Sequence, residues 1–458
     1  MSSTVVKSGF EDSLVSWRSS TDGGLAVPGV RPSILPKPDF FSRRPESSKL
    51  LRELTECGTA LPSLEKVLDN KYFPFIESCS QAHSSSWGVL KISNIPFDVN
   101  RAEVIALIGK NSRILNDVHE PVHIIMERTS SKTEDVFVEF MTSEDASKCI
   151  ERLIKNSEKG RPPRLGNRVV TLKISDQTEL MKALFPHAKG VDWLGSVPQI
   201  KEVGPDGWDH ERFRGFMTMD EMAMLVKHAE VPTRAPFSHN VPQRPFECLI
   251  STIKKLPWYR SENITVAQRY QIYDATEKLV TMLKEKIDLA KQEVHANLNE
   301  QLFKRLVKAA MICPGFSALQ KDNIAHIAGL TQPECATFNQ PFFAYEWRHL
   351  HTICPRPNKM PMDLLDWYIA FIRQQSSEQI ADRPEKEQAE IYLKARHTTD
   401  YFGYLWVEIN LPEGPALDQM SLKDLYLREV GAIHRGFTRV LKRSTNPEAL
   451  PESEEKEQ

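Results

Sequence analysis

The sequence predicts an α+β protein: one βαββαβ unit of the split-βαβ, ferredoxin-like kind over residues 86–176, then a large and mainly α-helical C-terminal region. Three observations carry this expectation. The runs WGVLKIS, VHIIME, DVFVEF and RVVTLKI read as strands, with alternating or continuous apolar residues and β-branched or aromatic side chains. NRAEVIALIG separates the first strand from the second, and SEDASKCIERLIK separates the third from the fourth; both have helical spacing. Beyond Asp176 the apolar spacing is mostly helical.

Taken in order, residues 1–48 are rich in Ser, Pro and Arg, and the prolines of VPGVRPSILPKPDFFSRRPESS block regular structure, so a disordered arm is expected. Residues 49–85 suggest one or two short helices in KLLRELTECGTALPSLEKVLDNKYFPFIE, followed by a QAHSSS linker. Within 86–176, Asn100 with Glu103 three places on makes a capping-box start for the first helix. The second helix gathers Ala146, Cys149, Ile150, Leu153 and Ile154 on one face, and a Gly-Asn turn leads into the fourth strand.

Residues 177–260 are expected to be an irregular helical connector, with short helices in MTMDEMAMLVKHAE and FECLISTIKK. Residues 261–445 are expected to be a helical domain of roughly four to six amphipathic helices. Leu279, Leu283, Ile287 and Leu289 lack clean consecutive heptads, which favours packing within the chain over a coiled coil. No repeat of constant period is present, which argues against a solenoid, and residues 446–458 are expected to be a disordered tail.

With 59 Lys plus Arg against 61 Asp plus Glu, net −2, the chain does not coat nucleic acid by overall charge; any such affinity must be local. The N-terminus lacks a signal-peptide pattern, and no window holds about 18 uninterrupted apolar residues, so an intracellular protein without membrane contact is expected, the nucleus favoured over the cytoplasm. Seven scattered cysteines with no CxxC pair suggest reduced thiols. The sequence lacks GxSxG, HExxH and a phosphate loop, so no enzyme, cofactor or metal is expected. WRHLHTIC places His349, His351 and Cys354 together, with Cys335 upstream, but that spacing fits packing better than zinc.

The βαββαβ order, the hexamer LKISNI and the strand end FVEF resemble an RNA recognition motif, whose sheet stacks bases on aromatic rings. Here Lys91 and Asp135 stand at two ring positions, leaving Phe137. LKISNIPFDVNRAEV, RTSSKTEDVFVEF and LGNRVVTLKIS are more similar to the quasi-RNA-recognition motifs of the heterogeneous nuclear ribonucleoprotein F/H and epithelial splicing regulator families, departing at Val136, where those families have a smaller residue.

The resemblance implies that loops grip single-stranded RNA, commonly around guanine runs, and that the role lies in RNA processing, splicing or messenger regulation. The matched positions are Lys91 and Phe97, then Arg128 and Lys132, then Arg164 and Arg168. Lys173 closes a run, Lys148 to Lys173, in which eight basic residues face two acids, 8 − 2 = +6, a candidate phosphate track.

The alternative is an interaction scaffold whose motif-like unit docks partner proteins, and the helical region is a further candidate for protein partners. A contiguous positive surface on the three loops would favour RNA. An exposed apolar stripe on either helix of the unit would favour docking.

Overall fold

The computed structural model describes residues 47–201, 212–236, 238–289, 297–357, 360–395 and 400–445. The expected arm, apart from Ser47 and Ser48, and the expected tail lie outside the described residues. Two short helices come first, α1 (Lys49–Thr55) and α2 (Leu64–Leu68), each opened by a serine whose hydroxyl accepts a backbone N–H of the first turn. A short strand follows, β1 (Phe75–Glu77).

The next elements run β2 (Gly88–Ser93), α3 (Arg101–Ile108), β3 (Val122–Met126), β4 (Thr133–Phe140), α4 (Ser143–Glu158), a small hairpin of β5 (Arg164–Leu165) and β6 (Arg168–Val169), and β7 (Thr171–Ser175). The four longer strands form one antiparallel sheet in the order β3-β4-β2-β7. The Asn100–Glu103 capping box starts α3, with both reciprocal bonds made. Leu90, Ile92, Ile124, Val136, Val138 and Phe140 point to one face and pack with Val104, Ile108, Ala146, Cys149 and Leu153 of α3 and α4. Where β2 begins, a Cβ on Gly88 would stand 2.2 Å from the carbonyl oxygen of Thr142, so only glycine lets these backbones approach.

The chain continues through α5 (Gln177–Leu184), a hairpin of β8 (Val191–Leu194) and β9 (Val197–Ile200), α6 (Met219–Glu230) and α7 (Arg244–Lys255). Then come α8 (Val266–Leu289), α9 (Glu300–Ile312), α10 (Ala318–Ala328), α11 (Gln332–Thr337), β10 (Ile353–Pro355), α12 (Met362–Ala381), α13 (Glu385–Lys394), α14 (Leu405–Ile409), α15 (Pro415–Asp418) and α16 (Leu422–Thr445). The composition is therefore α+β, as expected.

The largest core begins on the second face of the sheet. Val89, Ile125 and Phe137 share it with Leu180 and Leu184 of α5, Leu225 of α6, Phe246 and Leu249 of α7, and Leu279 and Leu283 of α8. This core crosses the sequence borders expected at 176 and 260. Residues 177–260 roof the sheet, which becomes the middle layer between α3 and α4 on one side and α5 and α7 on the other. A third core packs α1, α2, α12, α14 and α16 around Trp347, Tyr368 and Phe437, and β1 pairs with β10 to join it.

Candidate nucleic-acid interface

Strand alternation sets which side chains an RNA could meet on the sheet. Along β4, Asp135, Phe137 and Glu139 face away from α3 and α4, and across from Phe137 stand Lys91 of β2 and His123 of β3. In a bare sheet these groups would be open to solvent. Here Phe137 is 1 % exposed.

The roof is fastened by a buried polar network. Glu139 accepts from Lys255 Nζ at 2.8 Å and from Gln177 Nε2 at 2.6 Å, and its other oxygen lies 3.0 Å from His123 Nε2. Lys255 also donates to Gln177 Oε1 at 2.9 Å. Burial alone would raise the Glu139 carboxyl, but the Lys255 ammonium and the His123 contact outweigh it and hold the group at about 2. His123 Nδ1 lies 3.0 Å from Ser251 Oγ, which completes a serine, histidine and carboxylate chain. All three members are buried, the serine on the face of α7 that meets the sheet.

Two expected RNA contacts are corrected by this arrangement. Phe137 is core, because α5 and α7 cover its face, and Lys91 Nζ sits 5.4 Å from its ring centroid. Arg128 is a buried tie: it donates to Glu221 Oε1 at 2.9 Å, the Leu184 carbonyl at 2.8 Å and Thr252 Oγ1 at 3.0 Å, binding the β3–β4 loop to α5, α6 and α7. A guanidinium so enclosed has no face left for phosphate.

Lys91 is half-buried and paired with Asp135 at 3.0 Å and Glu179 at 2.8 Å. The Glu179 bond, with Asp135 adding, raises the lysine above its ordinary value against a smaller effect of burial. Lys173 is exposed on the edge strand β7, its ammonium 4.0 Å from Glu179. These two cations are thus balanced by two carboxylates at the sheet edge, which leaves little field for a polyanion.

The remaining four expected residues gather at one end of the unit. Phe97, in the β2–α3 loop, is 41 % exposed. Its carbonyl accepts from Thr133 Oγ1 at 3.1 Å and from Arg244 Nη2 at 3.3 Å, so the loop is held from β4 and from α7 while the ring points outward. Arg168 Nη1 donates to the Ile95 carbonyl at 2.9 Å, and Asn94 Nδ2 to the Val169 carbonyl at 2.9 Å, which ties that loop to the β5–β6 hairpin. Arg164 is exposed and bonds the Asn167 carbonyl at 3.1 Å within the hairpin. Lys132, next to Thr133, is exposed.

The β3–β4 loop is shaped by Glu127, whose carboxylate accepts the backbone N–H groups of Thr129 and Ser130 at 2.9 and 2.6 Å. Burial pushes that carboxyl up, but these bonds prevail and hold it at about 2. None of Lys132, Arg164 and Arg168 has a carboxylate within ion-pair reach among the described residues. Adding exposed Arg161 gives four cations against exposed Asp98 and Glu134, a local excess of 4 − 2 = +2 beside an outward ring. Such a surface can stack one base and contact the flanking phosphates.

On the helices of the unit, Ile154 of α4 is the single large apolar side chain that is exposed. There is no apolar stripe of the sort a docked partner helix needs. At the WRHLHTIC motif, His349 Nε2 bonds Asp400 Oδ2 at 2.7 Å, while His351 is buried. No group of three or more His, Cys, Asp or Glu side chains is arranged to hold a metal ion among the described residues. No helix there is long and apolar enough to cross a membrane.

Two family models match the chain, each described as a domain of unknown function: DUF8400 over residues 86–195 and DUF8399 over residues 213–330. The first spans the βαββαβ unit, α5 and β8; the second runs from ahead of α6 to just past α10. No curated protein matches. Among solved structures, the crystal structure of the Glorund qRRM2 domain aligns at 18 % identity over 21 % of this chain and 99 % of that one, with a TM-score of 0.18.

Proposed function

We propose that the βαββαβ unit is a quasi-RNA-recognition motif that binds single-stranded RNA at its loop end, with Phe97 stacking a base and Lys132, Arg164 and Arg168 contacting the backbone. The observation that carries this reading is the outward ring of Phe97 on a loop braced from three sides, amid cations with no carboxylate in ion-pair reach among the described residues. A sheet-stacking mode is set aside, since Phe137 lies in the core. On this reading the chain is a non-catalytic RNA-binding protein of RNA processing or messenger regulation, acting in the nucleus, with guanine-rich RNA as the first ligand to test.

The test is fluorescence anisotropy of the full chain with guanine-rich and uridine-rich single-stranded RNA at two salt concentrations. Phe97→Ala is expected to weaken binding roughly tenfold, as loss of one stacked base implies. Arg164→Ala with Arg168→Ala is expected to weaken binding and flatten its salt dependence by about two counterions' worth. Absence of binding to either RNA, or binding that all these variants retain, rejects the loop grip.

A second reading has its own observation. The second face of the sheet already serves as a protein dock, occupied by α5 and α7, which supports a scaffold in which the unit organises the helical region. Failure of RNA binding with full thermal stability would favour it.

A further inference from the structure

The segment QPFFAYEW between α11 and β10 divides its side chains between core and surface. Ala344 and Trp347 turn into the third core, whereas Phe342 is 55 % exposed and Tyr345 is 46 % exposed. Phe343 links them, edge-on to Phe342 at 4.8 Å and to Tyr345 at 6.2 Å, and it also meets Tyr401 edge-on at 5.7 Å. Four rings in contact, two of them exposed, form an apolar strip of a kind that isolated surface residues do not make.

The strip lies in a negative setting. The Tyr401 hydroxyl is pushed up by burial and then by the carboxylates of Asp366 and Glu346, with Arg373 opposing. Arg348 pairs with Asp400 at 2.8 and 3.0 Å and with Glu346 at 3.3 Å, which leaves Asp366 as the carboxylate of this setting with no cation in ion-pair reach among the described residues. One turn before Asp366 on α12, Asp363 accepts the backbone N–H of Ser48 at 2.7 Å. The chain therefore leaves the described residues beside Asp363, whose charge also acts on Asp366.

What precedes that point complements the strip. Residues 28–46 read PGVRPSILPKPDFFSRRPE, with five prolines and four cations against two acids. Proline-rich chain in the polyproline II form docks on aromatic-lined surfaces at a small entropy cost, and its length here, about 3.1 Å per residue, spans such a strip several times over. Lys and Arg between the prolines suit a border of carboxylates.

We propose that residues 28–46 lie back along Phe342, Tyr345 and Tyr401, their prolines on the rings and their cations towards Asp363 and Asp366, so that the strip is a docking site for the chain's own proline-rich segment. This goes beyond the RNA reading and does not depend on it.

The experiment is limited trypsin digestion of the full chain, following the Arg43–Arg44 bond. Within residues 28–46 that bond alone has a basic residue not followed by proline, which trypsin requires. The double variant Phe342→Ser, Tyr345→Ser is expected to be cut there roughly tenfold faster than the unaltered protein at an unchanged melting midpoint, as loss of a local closing free energy implies. Arg31→Glu with Lys37→Glu is expected to give a similar acceleration. Equal rates in all three proteins, or a rate in the unaltered protein equal to that of a free 28–46 peptide, overturn the proposal. Protection that falls on dilution also overturns it, since the occupant would then be a second copy.

Discussion

Lys255 Nζ stands 2.8 Å from Glu139 Oε1 across the junction of α7 and the sheet, and both side chains are buried. Replacing Lys255 by Met leaves a buried carboxylate with only His123 and Gln177 as partners. The expected cost is about 3–5 kcal/mol of folding stability, the usual penalty for breaking one side of a buried pair. Urea denaturation of the two proteins measures it, and a loss below about 1 kcal/mol would contradict the description of this junction as the fastening of the roof.

Acid should weaken the protein in two stages. Burial, aided by the charges of Arg269 and His349, depresses His351 from 6.5 to about 3, so the unfolded chain takes up this proton first. More protons on the unfolded state means that stability falls as pH drops below 6.5 and stops falling from this source near 3. Burial depresses His434 in the same direction. Glu139, held at about 2 against an ordinary 4.5, contributes stability that is complete above 4.5 and lost as pH falls through 2. Urea midpoints from pH 7 to pH 3 should trace both stages, and His351→Gln should flatten the upper one by up to about 1.4 kcal/mol per pH unit.

The two phenylalanines of the unit should separate cleanly. Phe137→Ala opens a cavity under α7 and is expected to cost about 3–5 kcal/mol of stability. Phe97→Ala removes an outward ring and is expected to change stability by less than about 1 kcal/mol while weakening RNA binding. Thermal melts and anisotropy on the same preparations test both halves. A stable Phe137→Ala protein that has lost only RNA affinity would restore the sheet as the binding face.

Thiol titration should find one fast cysteine in the native protein. Cys57 is exposed; Cys354 is partly covered, its sulfur accepting from Gln81 Nε2 at 3.2 Å, and the other five are buried. Burial pushes the Cys354 thiol up, which slows it further. A disulfide-exchange reagent under native conditions should therefore read one equivalent quickly and the remaining six slowly or after denaturation.

The sheet was legible because one of its faces obeys a short-range rule: Leu90, Ile92, Val136 and Val138 alternate inward, and the helices that meet them lie within the same unit. Phe97 was legible as a loop residue for the same reason, whereas the short hairpin that carries Arg164 and Arg168 was not, the run from Arg168 having read as one continuous strand. The roof was not, because α7 lies more than 100 residues beyond Phe137 and no local pattern ties them. A signal was present all the same: Val89, Ile125 and Phe137 make the second face too apolar for a wet surface. Arg128 looked like any loop cation, and only Glu221, 93 residues away, turns it inward. The β8–β9 hairpin could have been found in VDWLGSVPQI, two alternating runs about Gly195, which takes the left-handed region with φ near 62°.

A roof supplied from so far down the chain gives the nascent protein a clock. Phe137 precedes Lys255 by 255 − 137 = 118 residues. At common synthesis rates that interval lasts roughly 6–24 s. For its last 255 − 175 = 80 residues, once β7 is made, the βαββαβ unit can have all four strands in place while the face bearing Phe137, Val89 and Glu139 stays bare. A chaperone, another nascent chain or an RNA could occupy it then, and α7 would have to displace that guest before the molecule is finished.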